Sequence, residues 1–200
     1  MELIAQGAEA KLYKEKEHLI KERIKKNYRI AEIDDALRKK RTRKEAKILE
    51  KINHLGFAPK LISNDDKSKI TMEFIEGKTL RDYLTKDNFK GLMQELGRKI
   101  AILHNHNIIH GDLTTSNFIV QKDNNSIFFI DFGLAFESDK VEDKAVDIHL
   151  LKQALESKHY QIWEECFKEA LASYEKECKN AREVFQRLET VEKRGRYKHK

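Results

Sequence analysis

Two hundred residues suffice for one domain or two small lobes with a real core. The two cysteines, Cys166 and Cys178, form no CxxC pair and have no His at ligand spacing, so they read as reduced thiols and suggest neither a disulfide scaffold nor a zinc site. Lys and Arg number 40 against 34 Asp and Glu, for a net charge of +6. The basic excess gathers in KERIKKNYR, RKKRTRK and EKRGRYKHK, runs that serve either as solvated faces or as contacts with RNA or another polyanion. With no basic start in MELIAQGAEA and nowhere about 18 consecutive apolar residues, the sequence reads as soluble and cytoplasmic, with no membrane segment.

In chain order, QGAE reads as a turn before a first strand, AKLYKEK, with further strands at HLIKERI and KITMEFI. Between the last two, Ile33, Leu37, Ala46, Leu49 and Ile52 fall at helical spacing, and Gly56 with Pro59 marks the stop. After EGKTL the period is helical: Leu92, Leu96, Ile100 and Leu103 lead to a turn at HNHN. FIV and IFFI then form a hairpin around QKDNNS. From Val146 onward, Leu150, Leu151, Ala154 and Leu155 give one helix, Tyr160, Trp163, Phe167, Leu171 and Tyr174 a second, and Val184, Leu188 and Val191 a third. The aromatic stripe of the second is expected in the core. The fold class is α+β, with a strand-rich lobe over 1–75 and a helical lobe over 76–200, meeting near Glu73 to Gly77.

NIIHGDLTTSNFIV holds Asp112 and Asn117 five residues apart between two apolar runs, and FFIDFG follows at 128–133. Alone, HGD or DFG would read as a turn. Together, in order and with a hairpin between, they match phosphoryl transfer from ATP, which needs a base for the substrate proton, oxygen ligands for magnesium, and a phosphate-gripping Lys held by an acid. Asp112 stands where the catalytic Asp belongs, and Asn117 and Asp131 are the magnesium ligands. Upstream, HLIK resembles the end of the VAIK strand, which makes Lys21 the phosphate-gripping Lys, with Lys25 and Lys26 as nearby competitors, and Glu45 on the long helix its partner. His104, His106 and His110 lack an acidic ligand set, so a structural reading is preferred over a metal site.

The blocks QGAEA, IKERIKKNYR, LRKKRTRKEA, HGDLTTSN, IDFGLAF and VEDKAVD and the tail RGR resemble, in order and over nearly the whole chain, the kinase subunit of the KEOPS complex, the PRPK family. RIO-type kinases and aminoglycoside-type phosphotransferases share HGD but not the KKNYR to RTRKEA and VEDKAVD blocks. The resemblance implies a bilobal minimal protein-kinase-like fold and an ATPase and atypical Ser/Thr kinase. It also implies work beside a TsaD-like subunit and small KEOPS subunits in making threonylcarbamoyladenosine in tRNA. ATP and magnesium are then expected in the cleft, with Met72 behind the adenine and the backbone of Glu73 and Ile75 on its edge.

Departures from ordinary kinases qualify this. The nucleotide loop is QGAEAKL, so only Gly7 offers unhindered backbone, and Glu9 must turn toward a Lys or Arg or repel a triphosphate. Gly111 replaces the Arg that would read a phosphorylated loop. No APE follows DFG, and Asp147 is expected to open the next helix and brace the catalytic loop. ATP hydrolysis or phosphorylation of a docked partner therefore fits better than broad peptide phosphorylation. The alternative is a catalytically idle scaffold on the kinase fold. At the end, Lys193, Arg194, Arg196, Lys198 and Lys200 read as a flexible basic tail that helps the assembled complex hold tRNA, with a solubilising tail, or one folded back toward the nucleotide or onto a partner, as the other readings.

Overall fold

The structure, a computed structural model, describes residues 1–122 and 124–196. The chain divides into two compact units, one of Met1–Ile75 with Asp131–Gly133, the other of Glu76–Ile130 with the chain from Leu134 on.

The first unit is a five-stranded antiparallel sheet with one long helix. Strands β1 (Glu2–Gln6), β2 (Ala10–Glu15), β3 (His18–Arg23), β4 (Leu61–Asn64) and β5 (Lys69–Glu73) stand in the order β1-β2-β3-β5-β4. QGAE thus joins β1 to β2 rather than preceding the first strand. In the β3–β5 register Leu19 lies opposite Met72 and Lys21 opposite Ile70, so side-chain alternation gives Leu19, Lys21 and Arg23 one face of the sheet with Ile70 and Met72. Helix α1 (Ala31–Ile52) buries Thr42, Glu45, Ala46, Leu49 and Ile52 along one stripe. Its first half departs from the expected pattern: Ile33 is 52% exposed, and Asp34 takes the buried position, accepting from Arg38 Nε at 2.8 Å. Gly56, at φ +73°, ends the segment in the left-handed region, where a residue without Cβ is unstrained.

The second unit holds two small sheets and five helices among the described residues. Strands β6 (Lys78–Thr79), β8 (Phe118–Val120) and β9 (Ile127–Phe129) form one sheet in the order β6-β8-β9, and β7 (Ile108–Ile109) pairs with β10 (Phe136–Glu137) in the other. The helices are α2 (Leu80–Tyr83), α3 (Phe89–Asn105), α4 (Val141–Lys158), α5 (Trp163–Glu177) and α6 (Ala181–Arg196). Leu92, Leu96, Ile100 and Leu103 of α3 are all buried, as their spacing requires. Lys99 on the same helix reaches Ile127 O at 2.7 Å and Ser126 Oγ at 3.1 Å, tying the β8–β9 hairpin down. Burial pushes its pKa down despite the Glu95 partner.

Three further expectations are corrected. Helix α4 starts at Val141, so Asp147 lies inside it rather than at its opening. In the aromatic stripe Phe167 and Tyr174 are buried, but Tyr160 precedes α5 and is 71% exposed. The basic end is not wholly a loose tail: α6 runs through Lys193, Arg194 and Arg196, and Glu142 accepts from Arg187 Nε at 2.9 Å and Arg194 Nη1 at 2.6 Å. Lys198 and Lys200 lie outside the described residues. No described helix is long and apolar enough to cross a membrane.

Candidate active site

Strand β3 and helix α1 bring the expected ion pair together. Lys21 Nζ lies 2.7 Å from Glu45 Oε1 and 2.7 Å from Asp131 Oδ1, so the two carboxylates share its ammonium. Burial alone would depress the Lys21 pKa, but the charges and hydrogen bonds of Glu45 and Asp131 outweigh it and hold the pKa above the usual lysine value. The alternative lysine Lys26 instead bonds the Ala8 carbonyl. Glu45 is 1% exposed and also accepts from Arg23 Nη2 through its other oxygen. Asp131 adopts φ +60°, unusual for a residue with a Cβ, and its side chain is about half exposed at 51%. Its Oδ1 accepts the Gly133 N–H at 3.2 Å; a Cβ on Gly133 would stand 3.0 Å from that oxygen and 3.6 Å from both Lys21 Nζ and Arg23 Nη2.

The turn between β1 and β2 keeps room at Gly7, where an added Cβ would meet only Ala10 O at 3.9 Å. Glu9 turns aside as expected, onto Arg41 Nη1 at 2.6 Å, with Arg29 at 3.9 Å. Met72 near the end of β5 and Ile75 just beyond it are both buried. Glu73 donates its N–H to Lys60 O at 2.9 Å, while Lys60 returns its own N–H to the Glu73 carboxylate at 3.2 Å rather than to the Glu73 carbonyl.

In the second unit, Asn117 Nδ2 donates to Asp112 Oδ2 at 2.8 Å and to Asp112 O at 3.0 Å. With the amide nitrogen so used, Asn117 keeps its side-chain oxygen for another partner. Asp147 braces the loop from within α4, Oδ2 accepting His110 N–H and Oδ1 accepting Gly111 N–H, both at 2.9 Å. Behind it runs a buried relay. A carboxylate only accepts, so His104 donates from Nε2 to Asp147 at 3.2 Å, and its Nδ1 is hydrogen-bonded with the Tyr174 hydroxyl at 2.8 Å. Cys178 Sγ in turn donates to Tyr174 at 3.2 Å, and burial raises the Tyr174 pKa well above the usual phenol value. Of the other two histidines in this stretch, His106 bonds Ile102 O through Nδ1, and His110 bonds Ile130 O through Nε2.

Whether magnesium suits these groups is decided by donor chemistry. Asp131 and Asn117 each present hard oxygen, and among the described residues no three His, Cys, Asp or Glu gather as a cage. Magnesium is typically held by one or two carboxylates with substrate phosphates, so the donors fit. Sequence reading missed Arg23, whose only signal was its place two residues after Lys21 on one strand face, and the Tyr174–Cys178 end of the relay, which carries no motif.

Residues 1–164 match the protein kinase domain model. The KEOPS complex subunit Bud32 of Pyrococcus abyssi is 43% identical over all of this chain and 98% of its own length. A probable bifunctional tRNA threonylcarbamoyladenosine biosynthesis protein of Methanococcus vannielii is 43% identical over 98% of this chain, which spans 36% of that protein. Among solved structures, the Rio2 kinase–ADP/Mg2+–phosphoaspartate complex from Chaetomium thermophilum matches with a TM-score of 0.64 at 16% identity, covering 98% of this chain and 70% of that one, a likeness of fold. Similarity running the whole length of the molecule makes this chain a member of the protein kinase domain family and, within it, of the KEOPS-subunit family of Bud32.

Proposed function

We propose that the chain is a magnesium- and ATP-dependent phosphoryl-transfer enzyme, an ATPase and atypical Ser/Thr kinase, that acts as a KEOPS-type subunit supporting threonylcarbamoyladenosine formation in tRNA. The observation that carries it is the Lys21 ammonium shared between Glu45 and Asp131 at 2.7 Å each, the arrangement that grips phosphate and presents a metal carboxylate. Magnesium, when bound, would supply positive charge that neutralises the phosphates, and Asp131 and Asn117 are the residues that would hold it. Asp112, fixed through Oδ2 by Asn117, offers Oδ1 to the proton of the attacking hydroxyl or water. The Glu73 carbonyl, left out of its pairing with Lys60, and the Ile75 backbone take the adenine edge, Met72 backs it, and Gly7 admits the phosphates.

The partner reading rests on the relatives. In the Methanococcus protein, named bifunctional, the part similar to this chain is 36% of the whole, which favours a separate TsaD-like function beside it. Small KEOPS subunits and tRNA complete the proposed assembly, with work in the cytoplasm. Reconstitution with the TsaD-like subunit, comparing phosphate release with phosphoprotein formation, tests the reading. Asp112→Ala is expected to lower ATP turnover roughly 10²–10⁴-fold, and Asp131→Ala to weaken magnesium-dependent nucleotide binding as well. Wild-type turnover in Asp112→Ala would overturn the chemistry; undiminished tRNA modification with Asp112→Asn would leave a scaffold.

A further inference from the structure

We infer that Arg23 is a positioning residue of this site, clamping Glu45 of α1 to β3 independently of Lys21. The inference rests on the phosphoryl-transfer reading for its purpose, but its geometry stands apart from it. Lys21 and Arg23 are two residues apart on one strand and bind opposite oxygens of the same carboxylate, Lys21 at Oε1 and Arg23 at Oε2. Arg23 Nη2 also approaches the Arg41 carbonyl at 3.5 Å, one helical turn before Glu45, so the guanidinium holds α1 at two levels.

The two cations differ in what else they hold. Lys21 is divided between Glu45 and Asp131, and its task requires it to turn donors toward phosphate. Asp131–Lys21–Glu45–Arg23 is a chain of alternating charge, with Arg23 at its far end on the Glu45 oxygen that Lys21 does not hold. Without Arg23, Oε2 of a carboxylate only 1% exposed would lose its charged partner, and a buried charge so under-satisfied is unfavourable. The position is itself costly: Arg23 is 7% exposed and its Nε has no hydrogen-bond partner. An apolar side chain would fill a strand position facing α1 without that penalty, so the fork of the guanidinium explains the residue where packing does not. Engagement of α1 with the sheet is then built in and does not wait for a nucleotide.

Hydrogen–deuterium exchange of amides 42–49 without nucleotide, with ATP turnover measured in parallel, separates the roles of the two cations. Arg23→Leu is expected to speed exchange there by about tenfold or more, whereas Lys21→Met stays within about twofold of wild type. Arg23→Lys should restore most of the protection, and Arg23→Leu should lower kcat more than it raises KM for ATP. Wild-type exchange in Arg23→Leu, or equal opening in Lys21→Met, would overturn the clamp. If Arg23→Leu does not fold, Arg23→Gln, which keeps donors without charge, is held to the same ordering. A wild-type protein without ATP turnover would refute the phosphoryl-transfer reading, while the exchange comparison would still decide the clamp.

Discussion

Gly111 sits between His110 and Asp112 at φ +78°, and a Cβ there would stand 2.9 Å from Leu134 O. Both backbone conformation and contact therefore require glycine, and an arginine at this position would be strained as well as unaccommodated. Gly111→Ala is expected to cost about 1–3 kcal/mol, read by urea unfolding, and to lower ATP turnover because Asp112 follows directly. The contrast with Arg23 shows what single residues disclose. HGD, the following Asn and DFG were legible because their spacing along the chain is the signal. Arg23 was one of several cations in KERIKK, and only the strand face and the position of Glu45 decide which cation meets which acid.

Helices α3 and α5 touch backbone to backbone. A Cβ on Gly97 would lie 2.0 Å from Ala170 O, so the two helices pack this closely because no side chain intervenes. Helix propensity alone would have Gly97→Ala stabilise the protein by about 1 kcal/mol. The expected result is the reverse, a loss of about 1–3 kcal/mol as α3 and α5 are forced apart, measurable as a lower urea midpoint. The same scale explains which elements the sequence disclosed. Helices α3, α5 and α6 bury one face and so carry a 3.6-residue period. Strands β1 and β4 are the two edges of the five-stranded sheet, β1 exposed at every residue and β4 without a buried one, so neither shows the alternation that marks a strand. The start of α4 was missed because VEDKA is polar, although Glu142 and Asp143 suit a helix N-terminus.

At the level of the whole molecule, an excess of six positive charges makes acid the demanding condition. Burial would raise the Asp34 carboxyl pKa, but Arg38, Arg29 and the Lys26 N–H together hold it below its ordinary 3.8. Asp65 is likewise held down against burial, by the N–H groups of Lys69, Lys67 and Ser68. A carboxyl with a lowered folded-state pKa contributes stability above its unfolded value, and that contribution is lost as pH falls through the folded value. Asp34→Asn should therefore be less stable than wild type at pH 7, and the gap should close below about pH 4. Urea midpoints across pH 2.5 to 7 check this, and a gap of constant size would contradict it.

The relay behind the His110–Asp112 loop ends in one of the two thiols. Cys166 is fully buried, with its pKa pushed up by burial to about 12, and Cys178 is 7% exposed with its hydrogen directed at Tyr174. With only these two cysteines, both buried in the folded state, the protein is already a quiet background for thiol-directed probes. A single cysteine placed at an exposed site such as Tyr28 or Tyr160 could carry a fluorophore or a crosslinker without first removing the native pair.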